Sequence, residues 1–385
     1  MRPKVILFSS LFPNPRNPLS GMFVSELTNA LSMISDVSVL APVIAHRHLT
    51  AIWGIPRKYC LSERVRVWAP IVINFPKILK STDGALMAAC SSSAFEQAKG
   101  GHADLVHAHF AYPDGVAAWK LARRHHLPLI VTIHGSDINV LAKDAGRRKQ
   151  IVEMLNGAAA IVCVARDLLE KVVAMGIAPD RVYHIPNGVD TRIFTPGDKQ
   201  AHRNQLGLNH HKRLLLTVGN LIPVKGYDRM IQALMDIDPS IGLVMVGEGP
   251  ERSRLGKHVR RLGLGERVHF AGSVPHSELA AYYRAADFLV ISSHSEGWPT
   301  VIFEALACGL PVIANRVGGI PEVLCSSDIG LLVESNDSPT IAAAIASSYK
   351  MEWDGRKAVS FAEKNTWNNI AEKYLKIYEH VQMQR

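Results

Sequence analysis

Cysteine is scarce in this sequence and follows no recognisable pattern. Five cysteines are scattered over 385 residues, without a C-x-x-C pair or the Cys/His spacing of a zinc site. An odd, dispersed set of this kind indicates neither a disulfide framework nor a metal centre. We therefore expect a protein of a reducing compartment, the cytoplasm.

Long hydrophobic runs are also missing. The N-terminal segment MRPKVILFSS has only a short apolar run, Val5–Phe8, before polar residues follow. A signal peptide needs a longer run, and a membrane-spanning helix needs about 18 apolar residues in succession. We expect neither secretion nor a membrane span. The 48% hydrophobic content suits two ordinary domains with sizeable cores.

Two nucleotide-binding signatures are absent. No G-x-G-x-x-G follows the run Val5–Phe8, which argues against an NAD-dependent dehydrogenase, and the Walker pattern G-x-x-x-x-G-K-[ST] does not occur. Binding of phosphates, if it occurs, has to use other loops.

A regular alternation of apolar runs and amphipathic segments is present instead. The runs are short and rich in Val and Ile, which is typical of buried parallel strands, and helical spacing separates them, as in residues 21–34. Strands are predicted at Val5–Phe8, Val37–Leu40, Leu105–Ala108, Leu129–Ile133 and Ala160–Val164, and then at Leu214–Val218, Leu243–Val246, Val268–Ala271, Phe288–Ile291, Pro311–Ala314 and Gly330–Val333.

This alternation predicts an α/β fold of two doubly wound, Rossmann-like domains. We place the domains at residues 1–190 and 191–365, and predict a final helix at about 366–385. Ligands of open α/β sheets bind beyond the carboxyl ends of the strands, so two such domains facing across a cleft would form their site there.

One segment, SSHSEGWPTVIFEALACGLPVIA, contains two glutamates on either side of a predicted helix start. Glu296 lies in a strand-to-helix loop, and Glu304 lies in the helix that follows Pro299. Free N–H groups at the helix start would bind an anion, and the carboxylates would accept hydrogen bonds from hydroxyls, which suits a nucleotide sugar. A solvated loop glutamate and an exposed helix glutamate explain the spacing equally well. The free N–H groups would belong to Trp298, Thr300 and Val301.

The segment EGWPTVIFEALACGLPVIA, followed by NRVGGIPEVL, resembles the signature of the retaining, family-4 glycosyltransferases of GT-B fold. Further matching pieces fall in the family's order over nearly the whole chain, among them FPNPRNPLSGMFVSEL, VTIHGSDIN, IPNGVDTRIF and VGNLIPVKG. The resemblance implies that residues 1–190 form the acceptor-side domain, that 191–365 bind the nucleotide sugar, and that the last helix packs back on the first domain.

The resemblance also implies an activity. A sugar would pass from a nucleotide-diphosphate sugar, UDP-linked by preference and GDP-linked next, to a hydroxyl acceptor in polysaccharide or lipid-linked glycan biosynthesis. Anomeric configuration would be retained by a front-face reaction. The catalytic residues would be Glu296, Lys225 and His134. Donor binding would fall to Glu304, Asn220, Gly21, Gly297, Trp298, Pro299, Thr300, Val301, Ser273 and Val274.

One donor-site position departs from the family pattern. The loop VGNLIPVKG usually carries an arginine five residues before the lysine, whereas this chain has Asn220 before Lys225. Lys225 would meet the diphosphate as a compact cation, but Asn220 adds a hydrogen bond without charge. Either the pyrophosphate is held less tightly, or another arginine, with Arg316 as the candidate, compensates.

The first domain offers a glycine loop and several histidines. Gly21 precedes a helix and resembles the family's acceptor and phosphate loop, and His134 at a strand end would contact the donor sugar. His107 and His109 share one strand face without a legible third metal ligand, so they are structural or acceptor-side residues. Asp137 is predicted to cap the local turn.

Positive charge is concentrated in the first half. Residues 1–190 contain 21 Lys+Arg against 14 Asp+Glu, or +7 of the total +9. A scatter of solvated residues explains each cluster singly, but a basic domain would favour an anionic membrane surface or an acidic acceptor. No nucleic-acid-binding module is apparent. The clusters, on segments read as helices or loops, are Arg57-Lys58, Arg64 and Arg66, Arg123-Arg124 and Arg147-Arg148-Lys149.

Two other classes of function remain open from sequence. A nucleotide-sugar epimerase or phosphorylase can use a related scaffold, and a non-catalytic nucleotide-sugar-binding protein would tolerate Asn220. No metal and no cofactor are expected, because the GT-B family generally needs none and no acidic DxD-like cluster occurs.

Overall fold

The computed structural model describes residues 2–45, 55–73, 80–210 and 212–384. Contacts divide the chain into two compact units, Met1–Gly188 with Trp367–Arg385, and Val189–Thr366. The fold class predicted from the sequence, α/β with parallel sheets in two domains, is confirmed.

The first unit is built on a mixed sheet with strand order β10-β9-β8-β7-β1-β2-β5-β4. Its neighbouring strands pair in parallel, except for the antiparallel pair β4–β5, and β3 pairs separately with β6. The strands are β1 (Lys4–Phe8), β2 (Asp36–Leu40), β3 (Val43–Ile44), β4 (Lys58–Ser62), β5 (Val65–Trp68), β6 (Ile71–Val72), β7 (Leu105–His109), β8 (Leu129–Ile133), β9 (Ala160–Cys163) and β10 (Val182–His184).

The five strands predicted for this unit are present, but the edge of the sheet was missed. β4 and β5 form an antiparallel pair. No residue of β4 is buried, and the exposed Arg66 interrupts the buried residues of β5, so both lack the continuous apolar run of a central strand. Lys58 and Arg66 lie in the strands of this hairpin, so the interpretation of their segments as helices or loops was wrong. Arg57, just before β4, and Arg64, in the turn between the strands, do lie in loops. Charged residues on an edge strand also oppose unwanted strand pairing.

The helices of the first unit cover the sheet. In the first helix, Val24, Leu27 and Leu31 are buried against apolar residues of the sheet, as their helical spacing predicts. The helices before Gly188 are α1 (Met22–Ser32), α2 (Asp83–Lys99), α3 (Val116–Arg124), α4 (Ser136–Asn139), α5 (Ala145–Gly157) and α6 (Arg166–Ala174).

The second unit has a sheet that is parallel throughout, in the order β13-β12-β11-β14-β15-β16. Leu214 and Leu216 belong to one hydrophobic cluster and Leu215 to another, so both faces of this sheet are covered. The strands are β11 (Arg213–Val218), β12 (Ile241–Val246), β13 (Val268–Gly272), β14 (Phe288–Ile291), β15 (Val312–Asn315) and β16 (Gly330–Val333).

Helices alternate with these strands along the chain. They are α7 (Lys199–Gln205), α8 (Tyr227–Ala233), α9 (Arg252–Arg261), α10 (His276–Ala285), α11 (Thr300–Ala307), α12 (Ile320–Val323), α13 (Ser338–Ser348) and α14 (Gly355–Glu363). The βα connections that follow β11 and β14 carry the polar residues considered below.

The last helix, α15 (Trp367–Met383), belongs to the first unit. Ile370, Tyr374 and Tyr378 are buried in one cluster with residues of α1 and the first sheet. Within the described ranges, no helix combines the length and the hydrophobicity needed to cross a bilayer.

Replacing Tyr378 with alanine should destabilise the first unit by about 3–5 kcal/mol, because a fully buried aromatic ring would leave a cavity. Urea unfolding measures the change. The neighbouring Glu379 is exposed on the same helix, so Glu379→Ala should shift stability by no more than about 0.5 kcal/mol. Equal effects of the two variants would contradict the placement of α15.

Candidate active site

The loop between β11 and α8 is fastened to the end of β14. Residues Pro223–Lys225 form a short 3-10 turn, and Gly226 enters α8 with φ 62°. A Cβ on Gly226 would overlap the carbonyl oxygen of Ser292, so this positive-φ position requires glycine. The Ser292 hydroxyl donates to the carbonyls of Lys225 (3.1 Å) and Gly226 (3.0 Å). The backbone of Lys225 is therefore fixed beside the β14 terminus.

Lys225 and Glu296 form an ion pair at this point. Nζ of Lys225 lies 2.7 Å from Oε1 of Glu296, and the Ser293 hydroxyl donates to the same oxygen at 2.5 Å. The side chains are 25% and 9% exposed, respectively, so the pair is shielded from bulk solvent but reachable through the lysine. The structure thus brings together the predicted diphosphate cation and the predicted sugar-binding carboxylate.

The Glu296 loop is held in turn by the residues after β15. Gly318 has φ 51°, and a Cβ there would overlap the carbonyl oxygen of Glu296. The Gly319 N–H donates to the Gly297 carbonyl at 3.3 Å, and the Asn315 side-chain amide donates to the Ser293 carbonyl. The position of the Glu296 backbone is therefore set by close packing of two loops.

The helix that follows begins one residue later than predicted. Pro299 is the N-cap (φ −79°, ψ 91°) of α11, although proline also suits the first helical position, and the N–H of Ile302 donates to its carbonyl at 3.0 Å. The N–H groups of Thr300 and Val301 precede this first helical bond and have no acceptor within the helix, as at other helix starts that can bind an anion. The Trp298 ring stacks on Phe303 with centroids 5.4 Å apart, so this ring helps to anchor the turn.

Glu304 is buried, in contrast to the interpretation as an exposed helix glutamate, which was wrong. The carboxylate is held by two side chains of α10: the Tyr283 hydroxyl donates to Oε2 at 2.6 Å, and Nε2 of His276 lies 3.8 Å from Oε1. Burial, reinforced by the charge of Glu304, raises the pKa of Tyr283 well above its usual value, so Tyr283 stays a protonated donor. Oε1 is the oxygen left to accept from a ligand.

The remaining predicted donor residues are less tightly held. Asn220 follows β11 with its side chain exposed, while Ser273 and Val274 follow β13, exposed and half-buried respectively. Arg316, the candidate to compensate for Asn220, instead forms a two-nitrogen ion pair with the exposed Glu334 at 2.8–3.0 Å. The structure therefore places Arg316 with Glu334 and gives no contact to Lys225 or Glu296.

In the first unit, His134 lies just after β8 within an aromatic cluster. Its ring packs against Phe23 (centroids 4.8 Å apart) and Phe110 (4.5 Å), and Nε2 lies 3.0 Å from Nδ1 of His109. Phe23 is close in sequence to Gly21, so the glycine loop and His134 lie at the same edge of the first sheet. Gly21 has φ 64°, and a Cβ there would overlap the carbonyl of Leu11.

His107 and Asp137 have structural partners. Nδ1 of His107 lies 2.7 Å from the Tyr378 hydroxyl and Nε2 lies 2.8 Å from the Thr132 hydroxyl, so both ring nitrogens are paired. The fully buried Asp137 carboxylate accepts from the N–H groups of Ala111 (2.9 Å) and Gly135 (2.8 Å). The predicted capping role of Asp137 is confirmed. No group of three or more His, Cys, Asp or Glu side chains in the described ranges is arranged to hold a metal.

Two family models match the chain. "Glycosyl transferases group 1" matches residues 198–366, and "Glycosyltransferase Family 4" matches residues 23–193. D-inositol 3-phosphate glycosyltransferase 2 of Catenulispora acidiphila is 32% identical over 307 residues, which are 72% of this chain and 71% of the relative. The chain belongs to the group 1 glycosyltransferases.

Other similar proteins span more of this glycosyltransferase. TuaC of Bacillus subtilis, whose name assigns it to teichuronic acid biosynthesis, is 29% identical and covers 89% of this chain and 88% of its own length. Sucrose-phosphate synthase from Thermosynechococcus elongatus matches in structure with a TM-score of 0.85 and 22% identity, over 100% of both chains. Anabaena HepE in complex with UDP matches at a TM-score of 0.75 and 20% identity, over 98% of this chain and 100% of its own. These structures support the GT-B fold.

Several polar residues of the donor-side loops were not found from the sequence. Tyr283 and His276 hold Glu304 through contacts that only the fold brings together. Ser293, which holds Glu296, lies only three residues before it in the sequence. Arg229 in α8 donates to the Asn336 carbonyl at 2.9 Å and contacts Nε2 of His294. Its position four residues after Lys225, one helical turn, was a usable signal for a second cation near this loop.

Gly318→Ala should distort the Glu296 loop, because the added methyl group would overlap a backbone carbonyl at a positive-φ position. We expect a loss of stability of about 1–3 kcal/mol in denaturant unfolding. Gly265→Ala is the matched control, since no atom lies within 4 Å of a Cβ there. If Gly318→Ala were as stable as Gly265→Ala, the close packing of the two loops would be refuted.

Proposed function

We propose that this glycosyltransferase transfers a sugar from a nucleotide-diphosphate sugar to a hydroxyl acceptor with retention of anomeric configuration. The observation that carries the proposal is the Lys225–Glu296 pair at 2.7 Å, beside the start of α11. A compact cation and main-chain N–H groups suit a diphosphate, and the carboxylate suits sugar hydroxyls.

Each part of the nucleotide-sugar donor is assigned to particular side chains or N–H groups of the site. Lys225 and the N–H groups of Thr300 and Val301 bind the diphosphate. Glu296 accepts from hydroxyls of the transferred sugar, and Oε1 of Glu304 accepts from the ribose, because Oε2 is already occupied by Tyr283. The nucleobase is read by backbone groups near Ser273 and Val274. Asn220 adds one uncharged hydrogen-bond donor for the phosphate.

UDP is the preferred nucleotide, with GDP next. Support comes from HepE of Anabaena, whose structures contain UDP and UDP-glucose and whose fold this chain shares. His134 is assigned to donor-sugar hydroxyls, as the family resemblance implies, and Gly21 to the loop of the first unit that approaches the ligand.

The proposed chemistry needs no protein base. Oε1 of Glu296 already accepts from Lys225 and Ser293, which leaves Oε2 to accept from sugar hydroxyls, and this carboxylate has no proton-transfer role in the proposed reaction. The glycosidic bond to the leaving diphosphate breaks on the face at which the acceptor oxygen attacks. The departing phosphate oxygen takes the proton of that hydroxyl, and Lys225 stabilises the developing charge.

The acceptor is proposed to belong to polysaccharide or lipid-linked glycan biosynthesis. TuaC is named for teichuronic acid biosynthesis, which supports an envelope polymer. The basic first domain, with +7 of the net charge, would favour contact with an anionic membrane surface or an acidic acceptor.

The decisive experiment offers a panel of UDP-, GDP- and ADP-sugars to the protein and measures thermal stabilisation and slow donor hydrolysis. We expect one UDP-sugar to raise the melting temperature most and to release free sugar of retained configuration. Release of an epimerised sugar nucleotide would favour an epimerase, and inverted product would refute retention.

Lys225→Ala should lower kcat by about 100-fold or more, because a cation at the leaving group acts mainly in the transition state. Glu304→Ala should instead raise the KM for the donor by about 10-fold, as lost ribose hydrogen bonds weaken ground-state binding. The exposed Lys257 of α9 provides the control, and Lys257→Ala should keep both constants within about twofold. If the donor bound but the wild type, Lys225→Ala and Glu304→Ala all showed the same background turnover, the binding-protein interpretation would be favoured.

Turnover should be insensitive to EDTA, because Lys225 and helix N–H groups are proposed to supply the positive charge that a metal would provide. Initial rates are measured with and without chelator after extensive dialysis. Complete loss of activity that a divalent ion restores would contradict metal independence.

A further inference from the structure

Three histidine rings lie in one row at the carboxyl ends of β7 and β8. The rings of His107 and His109 have centroids 4.6 Å apart, and those of His109 and His134 are 5.2 Å apart and stacked at 23°. His107 has both nitrogens paired with hydroxyls, as described above. His109 and His134 are linked to each other through Nδ1 and Nε2 at 3.0 Å.

The link between His109 and His134 contains a single proton. Burial lowers the pKa of His109 to about 3 and lowers that of His134 well below its usual value, so both rings are neutral at physiological pH. A neutral imidazole carries one N–H and one bare nitrogen. One ring therefore donates across the 3.0 Å contact, and the donor determines the tautomer of both.

The other nitrogen of His109 decides between the two arrangements. Nε2 of His109 is buried and has no hydrogen-bond partner within the described residues. If His134 were the donor, this Nε2 would carry a buried N–H without an acceptor. If His109 donates from Nδ1, Nε2 is only a bare lone pair. Orphaned buried N–H groups are rarer than under-satisfied acceptors, which favours donation by His109.

We propose that His109 is a positioning residue that holds His134 in the tautomer with its proton on Nδ1. No described residue hydrogen-bonds to Nδ1 of His134, whose ring is half-buried between Phe23 and Phe110. His134 therefore presents an N–H donor to a ligand oxygen, rather than a bare nitrogen that would require a ligand donor. The consequence for turnover rests on the proposed function, but the tautomer itself does not.

The tautomer is measured directly by NMR of the full-length protein with 15N-labelled histidine at neutral pH. Two-bond correlations between the ring 15N nuclei and the carbon-bound ring protons identify the protonated nitrogen. The spectrum of His134→Asn shows which signals belong to His134. We expect His134 to be protonated on Nδ1 and His109 also on Nδ1. A proton on Nε2 of His134 in the wild-type protein would overturn the proposal without bearing on the transferase activity.

Variants of His109 test the causal link. His109→Leu removes the donor, so His134 should become a mixture of tautomers and kcat/KM should fall roughly 10-fold, the value of one hydrogen bond. His109→Asn keeps an amide N–H near the position of Nδ1 and should restore both. An unchanged His134 tautomer in His109→Leu, or no rescue by asparagine, would contradict the role of His109.

Tyr374→Phe is the matched control. Its hydroxyl lies 3.1 Å from the Thr132 hydroxyl in the same buried network but does not touch His109 or His134. The His134 tautomer should be unaltered in this variant. If it changed as much as in His109→Leu, the tautomer would reflect general packing of the network rather than the His109 hydrogen bond. Should His109→Leu fail to fold, the wild-type spectrum and His109→Asn still decide the question.

Discussion

Burial of parallel strands on both faces is the constraint on which this structure depends. Such strands are almost wholly apolar, and every residue of β8, β9, β12, β14 and β15 is buried. Most polar side chains therefore lie at or beyond the strand ends, and in parallel sheets all carboxyl ends meet at one edge. Lys225, Glu296 and Asn315 lie at or just after three neighbouring strands of the second sheet for this reason.

The ion pair at this edge has chemical consequences. In the absence of ligand, Lys225 and Glu296 largely neutralise each other, so neither charge is left alone in a partly desolvated loop. Under the proposed function, a diphosphate that draws the lysine would leave the Glu296 carboxylate freer to accept from hydroxyls. Phosphate binding and sugar binding would then be coupled through this one short contact.

The sequence predicted the central features well because they depend on local patterns. Eleven apolar runs coincide with strands, since burial on two faces demands continuous Val, Ile and Leu. The β4–β5 edge was missed because β4 has no buried residue and the exposed Arg66 interrupts β5. The partner of Lys225 lies 71 residues away, and no local pattern encodes which loops meet. The burial of Glu304 was missed for the same reason, since α10 provides both its contacts.

The return of α15 to the first unit governs the order in which the chain can fold during synthesis. The second unit is continuous in sequence, Val189–Thr366, whereas the core of the first unit includes Ile370, Tyr374 and Tyr378. On a ribosome that adds about 5–20 residues per second, the unit translated first exposes apolar residues until α15 emerges. Its completion waits for a helix that follows the whole second unit in the sequence, so the unit begun earlier is completed later.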